Sequence, residues 1–418
     1  MATAFPGQYL DDIMSYFISV ALLKKNRNYR FLYAGQFISF LGTMITSVAL
    51  PYQVYHQTQS TLMVGLISLF QFLPLIFTAL IGGVLADRSH RKKLLIITES
   101  SLALGCLLLT FNASLLSPSL VAIFIIAVFM SAINGLHRPA LDSIVQQIVA
   151  KKDFPMVSSL SSLKFSVAMV AGPAIGGLMI AHFGLAVTFF VDFLSFLFSL
   201  ITLFFVTNIS KPEASGEASA FSSLVQGVRY AFSRQELIGS YFVDFIAMIF
   251  GMPMALFPAI AEGHGGAKVL GMLYSAPAVG GLALSFLSGW TKQIKRYGIA
   301  ISVSAILWGV SIIFFGLVQN FWLALFFLMF AGAFDTLSGI FRQTLWNETI
   351  PNAYRGRLSG IEMISYMSGP KLGDTEAGLV AAAFGITASI VSGGVLCVVG
   401  VAVCCYCLPK FYRYRSEI

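Results

Sequence analysis

The sequence predicts an all-α polytopic membrane protein with twelve transmembrane helices in two six-helix pseudo-repeats and both termini in the cytoplasm. Three observations predict it. Hydrophobic residues make up 57% of the 418 residues and charged residues 11%, against about 25% charged in an ordinary soluble domain. A mean hydropathy of +0.83 agrees, and no soluble fold of this size hides so much apolar surface. The apolar residues also fall into runs of membrane-crossing length, about 20 residues for a ~30 Å hydrocarbon core. Finally, the Lys and Arg residues gather in alternate gaps between those runs.

Residues 1–30 read as a cytoplasmic lead-in. Asp11 and Asp12 stand where a signal peptide needs positive charge, and the apolar stretch 13–23 ends in Leu-Lys-Lys instead of a small-residue cleavage site. The first half, 31–207, holds spans near 31–54, 62–86, 94–113, 119–148, 157–181 and 185–207. Residues 208–236 form a linker that opens N-I-S-K-P-E-A-S-G-E-A-S and continues into an amphipathic stretch, Phe221 to Phe232, lying on the membrane surface. The second half, 237–409, holds spans near 237–261, 267–290, 297–319, 321–348, 358–384 and 386–409, and 410–418 is a cytoplasmic tail. With the N-terminus inside, Lys and Arg occupy the inner segments 24–30, 88–93, 151–152, 211–234, 292–296, 355–357 and 410–415. The outer gaps near 55–61, 112–118, 182–184 and 320 have none. This is the positive-inside distribution, and it explains the net charge of +8 without a nucleic-acid partner. The five cysteines lie in apolar segments, spaced neither as a disulfide framework nor as a metal site.

The halves repeat. Gly135, Arg138 and Leu141 in the fourth span match Gly339, Arg342 and Leu345 in the tenth, and Gly172-Pro173 with Gly176 in the fifth matches Gly369-Pro370 with Gly373 in the eleventh. Such duplication is typical of secondary transporters.

The second span closes in G-G-V-L-A-D-R-S-H-R-K-K at 82–93. Here the sequence resembles the major facilitator superfamily, whose loop between helices 2 and 3 carries a glycine, an Asp-Arg pair and a following Arg-Lys. That resemblance implies a conformational latch of Gly83, Asp87, Arg88, Arg91 and Lys92, with Asp142 near the inner end of the fourth span as its acidic partner. The matching loop W-T-K-Q-I-K-R at 290–296 has Thr291 in place of the acid. In the fifth span, A-G-P-A-I-G-G at 171–177 gives a proline bend beside a small-residue face of Gly172, Gly176 and Gly177. It is similar to the helix 5 motif of the superfamily's antiporters, which implies export. H-R-P-A-L-D-S-I-V-Q at 137–146, V-D-F-L-S-F at 191–196, R-G-R-L at 355–358 and G-P-K-L-G-D-T-E-A-G-L-V-A at 369–381 resemble the drug–proton antiporter branch that includes enterobactin exporters and macrolide efflux proteins.

Ionisable residues inside spans cost several kcal/mol unless paired or hydrated, so each is a functional candidate. Asp335 and Arg342 share a face of the tenth span; Lys371 and Asp374 stand three apart on the eleventh, with Glu376 next; Asp192, Asp244 and Arg138 complete the set of proton or substrate candidates. Asp192 and Asp244 have no local partner in the sequence. Glu99 and Lys164, near the inner face, read as structural. Phe37, Tyr52, Phe250 and Phe334 are candidate cavity-lining aromatics. The resemblance implies proton-coupled export of an amphiphilic small molecule, a siderophore first and a macrolide-like drug second. It implies a bacterial inner membrane, no cofactor beyond the proton gradient, and an outer-membrane or periplasmic export partner. The rival readings are an importer or lipid flippase of the same fold and, more distantly, a membrane acyltransferase using His137 and Asp142 in an H-x-x-x-x-D pattern.

Overall fold

Every element of the computed structural model is helical, with no strand among the described residues, which are 21–88, 90–207, 226 and 229–416. At 80–81, 83–88, 352–365 and 367 only the helical backbone is described. Residues 1–20 of the lead-in, most of the 208–236 linker and the side chains of Asp87 and Arg88 therefore lie outside the described residues, as does any side-chain surrounding of Gly83.

The long helices are α1 (Arg27–Thr58), α2 (Thr61–Arg88), α3 (Arg91–Ser114) and α4 (Leu120–Ile148). A helical stretch Phe154–Phe204 then breaks at Gly184 (φ 78°, ψ 176°) into α5 (154–183) and α6 (185–204). After the linker come α7 (Gln235–Phe250), α8 (Ala267–Leu287), α9 (Tyr297–Leu317), α10 (Phe321–Thr349), α11 (Asn352–Phe384) and α12 (Ile386–Cys407). Ten segments among the described residues are long and apolar enough to cross a membrane. The stretch containing α5 and α6 counts as one of them; α11, which carries Arg355, Arg357, Glu362, Lys371, Asp374 and Glu376, is not among them.

Two features differ from a set of plain spans. Gly184 turns the chain with no loop at all, and Gly385 (φ 92°, ψ 160°) joins α11 to α12 in the same way. A Cβ at either glycine would meet nothing within 4 Å, so the backbone conformation and not crowding demands glycine there. The seventh span, expected to run unbroken over 237–261, unwinds at Gly251–Pro253 and resumes as a 3-10 turn, Met254–Leu256, and a short helix, Phe257–Glu262. Pro253 lacks the N–H that the Ile249 carbonyl would accept. The freed backbone is partly satisfied by Trp308 Nε1, which donates to Gly251 O at 3.0 Å, and by the Tyr274 hydroxyl, which donates to Met254 O at 3.2 Å.

Glycines set the helix approaches. Gly35 and Gly42 of α1 face Ser199, Thr202, Asp192 and Ser195 of α6, and Gly172 and Gly176 of α5 face Met44 and Ile45 of α1. Beyond the linker, Gly332 of α10 faces Pro277 of α8 and Gly309 of α9 faces Gly394 of α12. The helices before the linker join those after it along two seams. At the α2–α11 seam, Thr61 Oγ1 donates to Gly378 O at 3.3 Å and Thr375 Oγ1 donates to Gly65 O at 3.2 Å. At the α5–α8 seam, Gly177 packs on Gly271 and Ser275 Oγ donates to Val170 O at 2.8 Å. At the tip of α1, Gln59 Nε2 donates to Glu262 Oε1 at 3.2 Å. These contacts gather toward the end of the bundle opposite the start of α1 and the end of α12. Large apolar side chains such as Phe77 (65% exposed) and Phe111 (66%) cover the outer wall, where a lipid-immersed helix places them.

The tail is docked. Phe411 is fully buried against Gly239 of α7 and Gly298 of α9, and Ser416 Oγ donates to Glu348 Oε1 of α10 at 3.0 Å. The Tyr414 hydroxyl donates to Glu348 Oε2 at 3.3 Å. Burial, with the Glu348 carboxylate beside it, pushes the Tyr414 hydroxyl up to about 12.

Candidate functional site

The site is built from charges that apolar helices carry into the bundle. On α4, Arg138 and Asp142 are exposed and Ser143 is buried, so the two charged side chains face an accessible surface within the span. Lys164 of α5 is half-buried, its Nζ 5.7 Å from the centre of the Phe40 ring on α1. Arg138, Asp142 and Lys164 lie within electrostatic range of one another, and Tyr366 of α11 lies within range of both Arg138 and Asp335. Helices from both sides of the linker thus converge on one charged surface in the half of the bundle where α1 begins and α4 ends.

The other candidates are distributed differently from what spacing suggests. Arg342 pairs with Asp244 of α7, both side chains under 10% exposed, and not with Asp335 on its own helix. Asp244, which has no partner within its own span, finds one on a neighbouring helix. Asp335 has no hydrogen-bond or ion-pair partner among the described residues and lines a small cavity of about 30 Å³ with Gly251, Pro253 and Trp308 at the break of α7, room for about one water. Lys371 and Asp374 each turn to α2: Lys371 Nζ donates to Gln71 Oε1, and Asp374 accepts from Ser68 Oγ at 2.9 Å. The Ala255 backbone, just past the α7 break, also hydrogen-bonds to Asp374. This pair therefore sits in the α2–α11 seam and not in an open cavity. Glu376 shares the α11 face of Gly369 and Gly373, which packs on Met248 and Ile249 of α7.

Asp192 is fully buried and accepts from Thr46 Oγ1 at 2.5 Å, Ser195 Oγ at 3.0 Å and Cys106 Sγ at 3.3 Å, tying α6 to α1 and α3. Glu99 is also fully buried; it takes a hydrogen bond from Gln36 and lies 3.5 Å from His137 Nε2. Sequence reasoning left out Gln36, Ser68 and Gln71. An uncharged amide or hydroxyl inside a strongly apolar run is the signal that marks them. Phe37, Tyr52, Phe250 and Phe334 are all partly buried, and the last three pack against the main apolar core.

In the first turn of α3, Arg91 Nη1 donates to Ser143 O of α4 at 3.2 Å and Lys92 Nζ donates to Val206 O at 2.6 Å, past the end of α6. In the helix 5 motif the glycines divide their work. Gly172 and Gly176 pack on α1, whereas a Cβ on Gly177 would stand 2.5 Å from Ala267 O and 2.8 Å from Gly271 Cα, across the seam to α8. Gly177→Leu is therefore expected to yield folded protein that cannot close this seam, with transport reduced about tenfold or more, while Gly176→Leu lowers the folded yield itself. Size-exclusion profiles in detergent alongside transport by the surviving protein separate the two. Equal folded yield and transport for both variants would remove the distinction.

The family model described as "Transmembrane secretion effector" matches residues 19–415. The chain belongs to this major facilitator family. As a member it is a multi-pass membrane protein and a secondary transporter. Its relatives include proteins named "Enterobactin exporter EntS", from Citrobacter koseri at 26% identity and from Shigella boydii at 27%, each match covering 96% of this chain and 97% of the relative. Among solved structures, a POT family transporter in complex with 5-aminolevulinic acid superposes with a TM-score of 0.73 at 13% identity over 92% of this chain and 97% of that one. The nucleoside transporter NupG does so with a TM-score of 0.69 at 11% identity, over 92% of this chain and 100% of that one. At these identities the structural likeness establishes the major facilitator fold alone.

Proposed function

We propose that this secretion-effector chain exports an amphiphilic small molecule, a siderophore of the enterobactin kind first and a macrolide-like drug second, from the cytoplasm across a bacterial inner membrane in exchange for protons. Twelve spans form two six-helix halves that rock about a central cavity, with both termini on the cytoplasmic side. The observation that carries the substrate class is the match to named enterobactin exporters over 96% of the chain. The charged surface of Arg138, Lys164, Asp142 and Tyr366 suits a ligand with phenolic or anionic groups on an apolar body. The seams α2–α11 and α5–α8 act as the outer gate, and Asp87, Arg88, Arg91, Lys92 and Asp142 as the inner latch. Delivery beyond the inner membrane falls to a periplasmic or outer-membrane partner.

Proteoliposomes loaded with enterobactin or with a macrolide, and given an inward or an outward pH step, test this reading. Enterobactin efflux driven by the step, abolished by collapsing the gradient, is the expected result. Macrolide movement without enterobactin movement would shift the substrate class. Uptake with no efflux under either gradient would sink the export reading in favour of an importer.

A further inference from the structure

Glu99 of α3 is a buried carboxylate with half of its acceptor capacity unused. It is 0% exposed; Oε1 takes a hydrogen bond from Gln36 Nε2 of α1, and Oε2 has no hydrogen-bond partner. The same Gln36 amide donates to Ser199 Oγ of α6 at 3.2 Å, which fixes its orientation toward the acid. No Lys or Arg ion-pairs with Glu99 among the described residues. The unpartnered oxygen leaves this acid short of one hydrogen bond inside an apolar packing. Beside it stands His137 of α4, its Nε2 at 3.5 Å from Oε1 and its side chain 15% exposed. His137 therefore spans the distance between the accessible face that its neighbour Arg138 occupies and the sealed acid. Histidine is suited to such a transfer because its two ring nitrogens can take and release a proton on opposite sides.

We infer that Glu99 and His137 form a proton-binding pair that loads from the central cavity and changes the charge inside the α1–α3–α4–α6 packing. A proton from cavity water adds to the far ring nitrogen, Nδ1. The Nε2 proton then passes to Glu99 Oε1, the oxygen that His137 faces, leaving a neutral imidazole and a neutral carboxylic acid, and release runs the same steps backward. Of the charged groups around the pair, Asp142 on α4 interacts with His137, and Arg138 on α4 and Lys164 on α5 interact with Asp142. Helices α1 and α6 present the neutral Gln36 and Ser199. Helix α3 adds Arg91 two turns below Glu99, bound to Ser143 O. Loading thus reaches α1 through Gln36 and α4 through His137.

The inference rests on the proton-exchange reading but can be tested without a transported substrate. Infrared difference spectra of the full chain in liposomes, recorded on acidification, should show a protonated-carboxyl band. That band should lose intensity in Glu99→Gln, return in Glu99→Asp and move its midpoint in His137→Gln. An unchanged band in Glu99→Gln overturns the site, and a lost band with an unmoved midpoint in His137→Gln overturns the pair. In the transport arm, Glu99→Gln should cut pH-driven enterobactin efflux about tenfold while leaving substrate exchange within about twofold. Coupled efflux at the wild-type level also overturns the inference. If the band behaves as expected while the unmutated chain moves no enterobactin, the substrate reading fails and the proton pair stands.

Discussion

Arg342→Gln will lose most of its folded protein. Arg342 and Asp244 are both under 10% exposed and neutralise each other between α10 and α7. Removing one partner strands the other charge in an apolar interior, a change that costs about 3–5 kcal/mol in buried pairs. Total stabilities are about 5–15 kcal/mol, so such a loss takes a large fraction of the whole. Asp244→Asn alone should be comparably damaging, since it leaves the guanidinium uncompensated. The double variant Asp244→Asn with Arg342→Gln strands neither charge and should recover much of the lost stability, a strong non-additivity of the kind contacting pairs show. Thermal unfolding of the three variants in one detergent measures this. A double variant as unstable as the sum of the singles would mean that the pair contributes nothing as a pair.

The second large effect belongs to Lys371. Its ammonium lies in the α2–α11 seam, bonded to Gln71 and three residues from Asp374, which is itself held by Ser68 and the Ala255 backbone. Lys371→Met leaves the Gln71 carbonyl without its donor and Asp374 without its neighbouring cation. The seam then loses its charged clamp but keeps the hydroxyl contacts of Thr61 and Thr375. Transport should fall about tenfold or more, with the seam open for more of the cycle. Spin labels at Ser60 and Ala382, placed with the exposed Cys407 changed to serine, should report a longer mean distance in Lys371→Met than in the parent. An unchanged distance distribution together with normal transport would show that the seam closes without its lysine.

The sequence is informative about the apolar runs and much less so about what crosses between them. The helices follow from run length and from where Lys and Arg are permitted, both properties of single segments. The unwinding at Gly251–Pro253 escapes such a reading because Met252, Met254, Ala255 and Leu256 keep the stretch apolar while the backbone leaves the helix. Charge pairing escapes it for a geometric reason. The seven-residue spacing of Asp335 and Arg342 puts both on one face of α10, but a guanidinium reaches across to α7 more readily than down two turns of its own helix. Likewise, the three-residue spacing of Lys371 and Asp374 allows a direct pair, and both instead take partners on α2. Glu99 reads as a residue near the inner face, whereas its position in a four-helix packing leaves it fully enclosed.

The one-residue turns at Gly184 and Gly385 give the molecule its stiff parts. Each makes a hairpin with no slack, α5 with α6 and α11 with α12, and in each hairpin one arm is a seam helix. Force applied at Gly177 or Gly378 must therefore pass into α6 or α12 without being absorbed in a loop. Through Asp192, α6 hands that load to α1 and α3. The opposite side of the α5–α8 seam is mounted differently: α8 follows Gly265 and Gly266, both at positive φ, after the broken α7. One jaw of that gate is a rigid lever, and the other hangs on a compliant joint.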